Sequence, residues 1–271
     1  MDCTYENDSL PYNPKNSVLD EKKLEAFLNL HGVDKRFNDI NVYRMACVHK
    51  SYCTRRNENF INGNINCPEG CLGLQECSNE RLEFLGDSVL SLVVAEYLYE
   101  RFPDSEEGFL TKMRTKLVNG QMLADLAKKI GLGAFVIISK QIDDNGGRAN
   151  AKLLEDTFEA FIGAMFLDFG QFGLEMARNF IITIVESNID FASLVASNTN
   201  YKDAFLKYYQ HNHNSMPKFY ELNVTSRHGD KEYNVCIKSK DGIVISSGKG
   251  PNKKMAESNA AYNALKYFGQ L

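Results

Sequence analysis

Apolar residues recur at helical spacing through most of the chain and at strand spacing only near its end. Residues 1–16, MDCTYENDSLPYNPKN, are polar and read as a loose tail, with a helix beginning near Leu19. From Asn79 to about Ser187 one helical pattern follows another, punctuated by Pro103, Gly120, Gly131, Gly146 and Gly147, with no strand-like run between them. In the first of these helices Leu82, Leu85, Val89 and Leu92 form a stripe, which predicts burial of that side. A short connection over 189–199 leads into a different texture. There the pattern predicts a helix over 201–210, strands over 218–225, 232–238 and 243–247, and a closing helix over 253–268 with an alanine-rich face. The expected fold class is an all-α domain over 17–188 followed by a small α+β (αβββα) domain over 200–271.

Carboxylates interrupt this pattern in two places. Glu80, Glu83 and Asp87 are spaced by three and four, so they stack on one helical face. That alone describes either a solvated acidic face or a site for a divalent cation. Asp156 and Glu159, three apart in LLEDTFEAFIGAMFLD, sit among Leu153, Phe158, Phe161, Ile162, Met165 and Phe166. Ionised acids in so apolar a helix are costly unless something positive faces them. Carboxylates from two helices make an oxygen-rich cage suited to hard cations, and no His or Cys stands beside them at ligand spacing. The pattern therefore favours magnesium, with manganese as its substitute, over zinc.

NERLEFLGDSVL, Asn79–Leu90, resembles the signature of the ribonuclease III family, and the similarity extends over roughly residues 20 to 188. HKSY at 49–52, RFPDSEEG at 101–108, MRTKLVNGQMLADLAKKIGLG at 113–133 and GGRANAKLLEDTFEAFIGAMFLD at 146–168 follow in order. The resemblance implies an endonuclease that cuts double-stranded RNA. It makes Glu83, Asp87, Asp156 and Glu159 the metal-binding carboxylates, with Asp87 and Glu159 matching the catalytic pair. It sets Glu80 and Glu107 toward the RNA and gives Phe84 to a homodimer interface, reaching into the partner. Two sites on opposite strands would leave staggered cuts with 5′-phosphates and short 3′ overhangs. Lys112, Arg114, Lys116 and Lys152 are candidate phosphate contacts, and His49 reads as a structural histidine. Residues 54–78 look like a loop insertion; its neighbourhood holds Cys53, Cys67, Cys71 and Cys77, whose spacing lacks a paired zinc knuckle.

The αβββα tail resembles the double-stranded RNA-binding domain, most strongly in GKGPNKKMAESNAA at 248–261. Lys253 and Lys254 near a helix N-terminus combine ammonium groups, backbone N–H groups and the helix dipole toward phosphate. Lys249, Asn252, Lys207 and His228 complete the set of RNA-binding candidates. Departures from the family pattern lie in Leu206–Lys207, in the loop SRHGDK at 226–231 and at Asn252.

Charge agrees with this division. The chain has a net charge of −4, but residues 200–271 carry 11 Lys or Arg against 6 Asp or Glu, and residues 1–199 carry 20 against 29. A basic module suited to a polyanion thus follows an acidic body suited to cations. No stretch approaches the ~18 apolar residues of a membrane span. The polar, acidic start is unlike a targeting peptide, and seven cysteines without a secretory signal suggest reduced thiols in an intracellular, cytoplasmic (or nuclear) protein. Two other readings remain at this stage: a binding protein that sequesters duplex RNA without cutting it, and a structural component of a ribonucleoprotein. The four carboxylates favour cleavage, since a pure binder needs none of them.

Overall fold

The computed structural model describes residues 11–54, 67–196, 201–227 and 230–271. The chain divides into two compact units after Phe191.

The first unit is helical. Asp20 accepts from the Lys23 N–H to cap α1 (Glu21–Leu30), which buries Leu24, Phe27 and Leu28. Asp39 caps α2 (Ile40–Ala46) in the same way. The long α3 (Glu80–Arg101) is followed by α4 (Glu107–Leu117), α5 (Gly120–Lys129) and the short α6 (Lys140–Asp144). Next come α7 (Ala151–Asp168) and α8 (Gly173–Asn188), and α9 (Phe191–Ala196) begins on the last residue of this unit. Apolar almost all round, α7 can only be central, and it packs against α2, α3, α5 and α8. Phe158 and Phe161 of α7 meet Phe180 of α8, and Phe27 and Tyr43 close on the same cluster at ring separations of 5.2–6.2 Å. Among the described residues no helix is long and apolar enough to cross a membrane.

Three sequence expectations change here. Pro11–Asn16 belong to the packed unit rather than a loose tail: Asn13 is 1% exposed and Asn16 6%. The Asn16 side chain donates to the Ile138 carbonyl and accepts from the Ile138 N–H and from Arg148, which also grips Asp143. Amide side chains can satisfy an irregular backbone segment as a strand would, and hydropathy does not record that. Residues 189–199 are not simply a connection, because α9 lies within them. Phe191 is buried beneath the Arg101 guanidinium, 4.3 Å from the ring centre. Leu82 and Val89 of the expected α3 stripe are buried and Leu85 is half-buried, but Leu92 is 56% exposed, while Val93, Val94 and Leu98 take the buried side toward the end of the helix. Of the insertion at 54–78, residues 55–66 lie outside the described residues. Its second half is anchored by the Tyr52 hydroxyl donating to the Leu72 carbonyl and by the Thr54 and Gln75 backbone. Cys47, Cys67, Cys71, Cys77 and Cys236 carry free thiols.

The second unit runs α10 (Tyr201–His213), β1 (Lys218–Arg227), β2 (Asp230–Lys238), β3 (Val244–Gly250) and α11 (Lys253–Tyr267). The sheet is antiparallel in the order β1-β2-β3, with Phe219, Ile237 and Ser246 in register across it. The strands run longer than their apolar cores because ladder bonds continue into the polar ends. Ile237 packs with Phe205 and Tyr209 of α10 and with Ala260, Ala261, Ala264 and Leu265 of α11, the alanine-rich face expected. Small residues let that helix lie close. A Cβ on Gly248 would fall 2.1 Å from the Ala260 nitrogen, and one on Gly250 2.7 Å from the Ala256 nitrogen.

Candidate active site

The acidic cluster is made by a helix crossing. A Cβ on Gly86 of α3 would lie 1.7 Å from the Glu159 carbonyl oxygen, and one on Gly163 of α7 would lie 2.3 Å from that of Leu82. The two backbones can approach this closely only because neither position has a side chain. Glu83 lies one turn before Gly86 and Glu159 one turn before Gly163, so carboxylates of different helices are carried to one spot. One oxygen each from Glu83, Asp156 and Glu159 lies within 4.8 Å of the others. Asp87, exposed one turn beyond Glu83, is near enough to act on Glu159 electrostatically.

Glu159 is 7% exposed. Burial, reinforced by Asp87, Glu155 and Glu83, pushes its pKa up to about 8. Burial and Asp156 also hold Glu83 above the ordinary carboxylate range. Lys152 answers this charge. Its Nζ lies 2.7 Å from Asp156 Oδ1, 3.4 Å from Glu155 Oε2 and 3.9 Å from Glu83 Oε1; hydrogen bonding to Asp156 chiefly raises its pKa. The ammonium is a stand-in for positive charge at the cluster. Oxygen donors alone, with no His or Cys among them, suit magnesium or manganese. The residues therefore fit the divalent ion that the sequence implied.

A cleft of about 440 Å³ opens beside the cluster, lined by His49, Gln141, Asn145, Asn150, Lys152 and Asp156 among others. His49 Nδ1 accepts from the Ser51 N–H, capping a short 3-10 turn, in keeping with a structural histidine. Burial, with Lys50 beside it, lowers its pKa. Glu80 stands at the start of α3, held by Lys50 Nζ at 3.1 Å and Ser78 Oγ at 2.9 Å; these bonds lower its pKa. Glu107 is not brought to the cluster within one chain. It accepts from Thr111 and lines a groove with Tyr99 and Arg114, roughly 20 Å along α3 from Glu83. Phe84 is 79% exposed and so is no core residue of its own chain.

In the second unit Asn252 caps α11 by accepting from the Met255 N–H, a structural duty in addition to any contact with RNA. Lys253 and Lys254 project from the first turn, and Lys253 Nζ lies 3.6 Å from Glu221. Lys249 pairs with Glu232 at 3.1 Å, and Lys207 is exposed on α10. The glycines before α11 serve its close approach to β3 rather than a ligand's. His228 lies outside the described residues.

Gly86, Gly163 and Glu155 do not stand out in the sequence pattern. A glycine inside a helix costs ~1 kcal/mol relative to alanine, and that expense was the available signal for the two glycines. Glu155 offered less, being one more charge beside Asp156.

Residues 39–187 match the family described as Ribonuclease-III-like, and residues 201–268 match the double-stranded RNA binding motif. Ribonuclease 3 of a Nitratiruptor species is 34% identical over 245 residues, covering 90% of this chain and 96% of its own length. A probable ribonuclease 3 of Acanthamoeba polyphaga mimivirus is 31% identical over 252 residues; these span 92% of this chain but 46% of that longer protein. The nuclease domain of ribonuclease III from Campylobacter jejuni superposes with a TM-score of 0.50 at 35% identity, covering 63% of this chain and 99% of that one. Helical domain, acidic crossing and αβββα tail thus have one common explanation: the chain belongs to the ribonuclease III family of endoribonucleases acting on double-stranded RNA.

Proposed function

We propose that the chain hydrolyses phosphodiester bonds of duplex RNA at a magnesium site (manganese substituting) held by Glu83, Asp87, Asp156 and Glu159. The observation that carries this reading is the convergence of Glu83, Asp156 and Glu159 across the α3–α7 crossing. When bound, a divalent cation supplies charge neutralisation on the phosphoryl oxygens and the leaving oxygen and lowers the pKa of water. The protein's part is positional. Glu159, buried, anchors the set from α7, while Asp87 extends it toward solvent, where a phosphodiester backbone can approach. Lys152 adds positive charge at the entrance to the cleft, and Lys50 keeps Glu80 ionised at its side.

Duplex RNA has two strands, and each cluster serves one, so the proposal includes a second copy of the chain. The exposed Phe84 supports that arrangement, with its ring available to a partner. The Campylobacter jejuni nuclease domain has a flexible region involved in dimer formation. Two clusters facing opposite strands would give staggered products with 5′-phosphates and short 3′ overhangs. Lys253, Lys254, Lys249 and Lys207 would grip phosphates of an A-form helix without reading its sequence.

The test is cleavage of a long labelled duplex in magnesium and in chelator, beside Glu159→Gln. Magnesium-dependent staggered cutting, lost in the variant while RNA binding persists, is the expected result. Tight binding without cutting in any divalent ion would favour sequestration instead.

A further inference from the structure

We propose that Glu155 is a positioning residue for Lys152: when a divalent cation enters the carboxylate cage, Glu155 holds the displaced ammonium at the rim, freeing Asp156 and Glu83 for the cation. The inference rests on the metal reading above and assigns a duty to an acid outside the candidate ligand set.

Lys152, Glu155, Asp156 and Glu159 share one face of α7, spaced by three and four. The Lys152 ammonium is shared unequally, 2.7 Å from Asp156, 3.4 Å from Glu155 and 3.9 Å from Glu83. Two of these partners belong to the trio of converging oxygens, and Glu155 does not. A cation in the trio and an ammonium on Asp156 would compete for the same oxygens and repel each other at close range. The lysine side chain is 66% exposed and can swing, and Glu155 is the anion already within its reach.

Glu155 is itself held in place. Its side chain is 21% exposed, and its carboxylate lies against Gly120, the first residue of α5. A Cβ on Gly120 would meet Glu155 Oε2 at 2.6 Å, so the glycine makes the notch in which the carboxylate rests. The first turn of α5 presents the positive end of its dipole to that anion. Lys152 therefore has two anionic neighbours on its own helix, one inside the cage and one anchored outside it.

The experiment measures Mn²⁺ affinity of the full chain without RNA, by titration calorimetry, for wild type, Lys152→Met, Glu155→Gln and the double variant. Removing the competing ammonium is expected to tighten Mn²⁺ binding roughly three-fold, the scale of a partly exposed ion pair. Glu155→Gln should weaken binding by about the same factor when Lys152 is present, and hardly at all in the Lys152→Met background. Glu155→Asp, which keeps the charge, should restore the wild-type affinity. Equal weakening by Glu155→Gln in both backgrounds overturns the inference and makes Glu155 a direct contributor to the cation's field. A wild-type chain that binds no Mn²⁺ overturns the metal reading itself, and this inference with it.

Discussion

Gly86 of α3 stands against the backbone of Glu159 on α7, so close that a Cβ would lie 1.7 Å from the Glu159 carbonyl oxygen. A carbonyl inside a helix cannot turn away as a flexible side chain can. Gly86→Ala must therefore separate the helices that carry the acids, at a cost of about 2–4 kcal/mol. Urea denaturation should register that loss, with cleavage impaired even where the fold survives. An alanine variant of wild-type stability would refute the close crossing.

Glu159 makes the protein without divalent ions sensitive to alkali. Its folded pKa, about 8, lies above the ordinary value of 4.5, so the folded state holds this proton more tightly than the unfolded chain does. The group's contribution is fully present below pH 4.5 and is lost as pH rises toward 8. In chelator, Glu159→Gln should be more stable than wild type at pH 7, by at most about 3 kcal/mol, and the gap should vanish near pH 4.5. Added magnesium should stabilise wild type and not the variant. Denaturation midpoints at pH 5, 7 and 8 test both statements.

Asn16 ties the segment before α1 to the stretch around Ile138 and Arg148, accepting from the Ile138 N–H and from Arg148. Asn16→Ala leaves both donors without that acceptor and should destabilise the helical unit by about 1–3 kcal/mol. Removal of residues 1–17 should cost at least as much, whereas a truly loose tail could be cut without effect. Thermal melts of the two proteins distinguish these cases.

Phe84 is available to a partner, and its loss should leave the isolated fold intact. Phe84→Asp is expected to shift sedimentation from dimer toward monomer at unchanged helical content. Cleavage of both strands should fall together. Unchanged sedimentation would remove Phe84 from the interface.

Two substitutions in the second unit should separate folding from grip. Gly248→Ala forces a methyl group to 2.1 Å from the Ala260 nitrogen and should unfold the αβββα unit, abolishing its RNA binding. Lys254→Ala alters only an exposed ammonium, so binding should weaken for all duplex sequences alike. The salt dependence of log K should become shallower by roughly one phosphate contact. Binding titrations from about 50 to 200 mM salt read this directly.

Local pattern was enough to separate an all-helical body from an αβββα tail, to space Glu83, Asp87, Asp156 and Glu159 onto helical faces, and to identify the alanine face of α11. Those features depend on residues three or four apart, and a helix imposes that geometry wherever it packs. Which helix covers which face was not legible. Leu92 belongs to an apolar stripe by periodicity yet is 56% exposed, because α7 approaches α3 near Leu82 and Gly86, away from Leu92. Asn13 and Asn16 are polar yet buried, since their partners are backbone groups more than 120 residues away. Helical spacing alone sets Lys152 beside Glu155 and Asp156, whereas only the tertiary fold brought Glu83 of α3 to them, because charge balance across a helix crossing depends on side chains from different helices meeting in space.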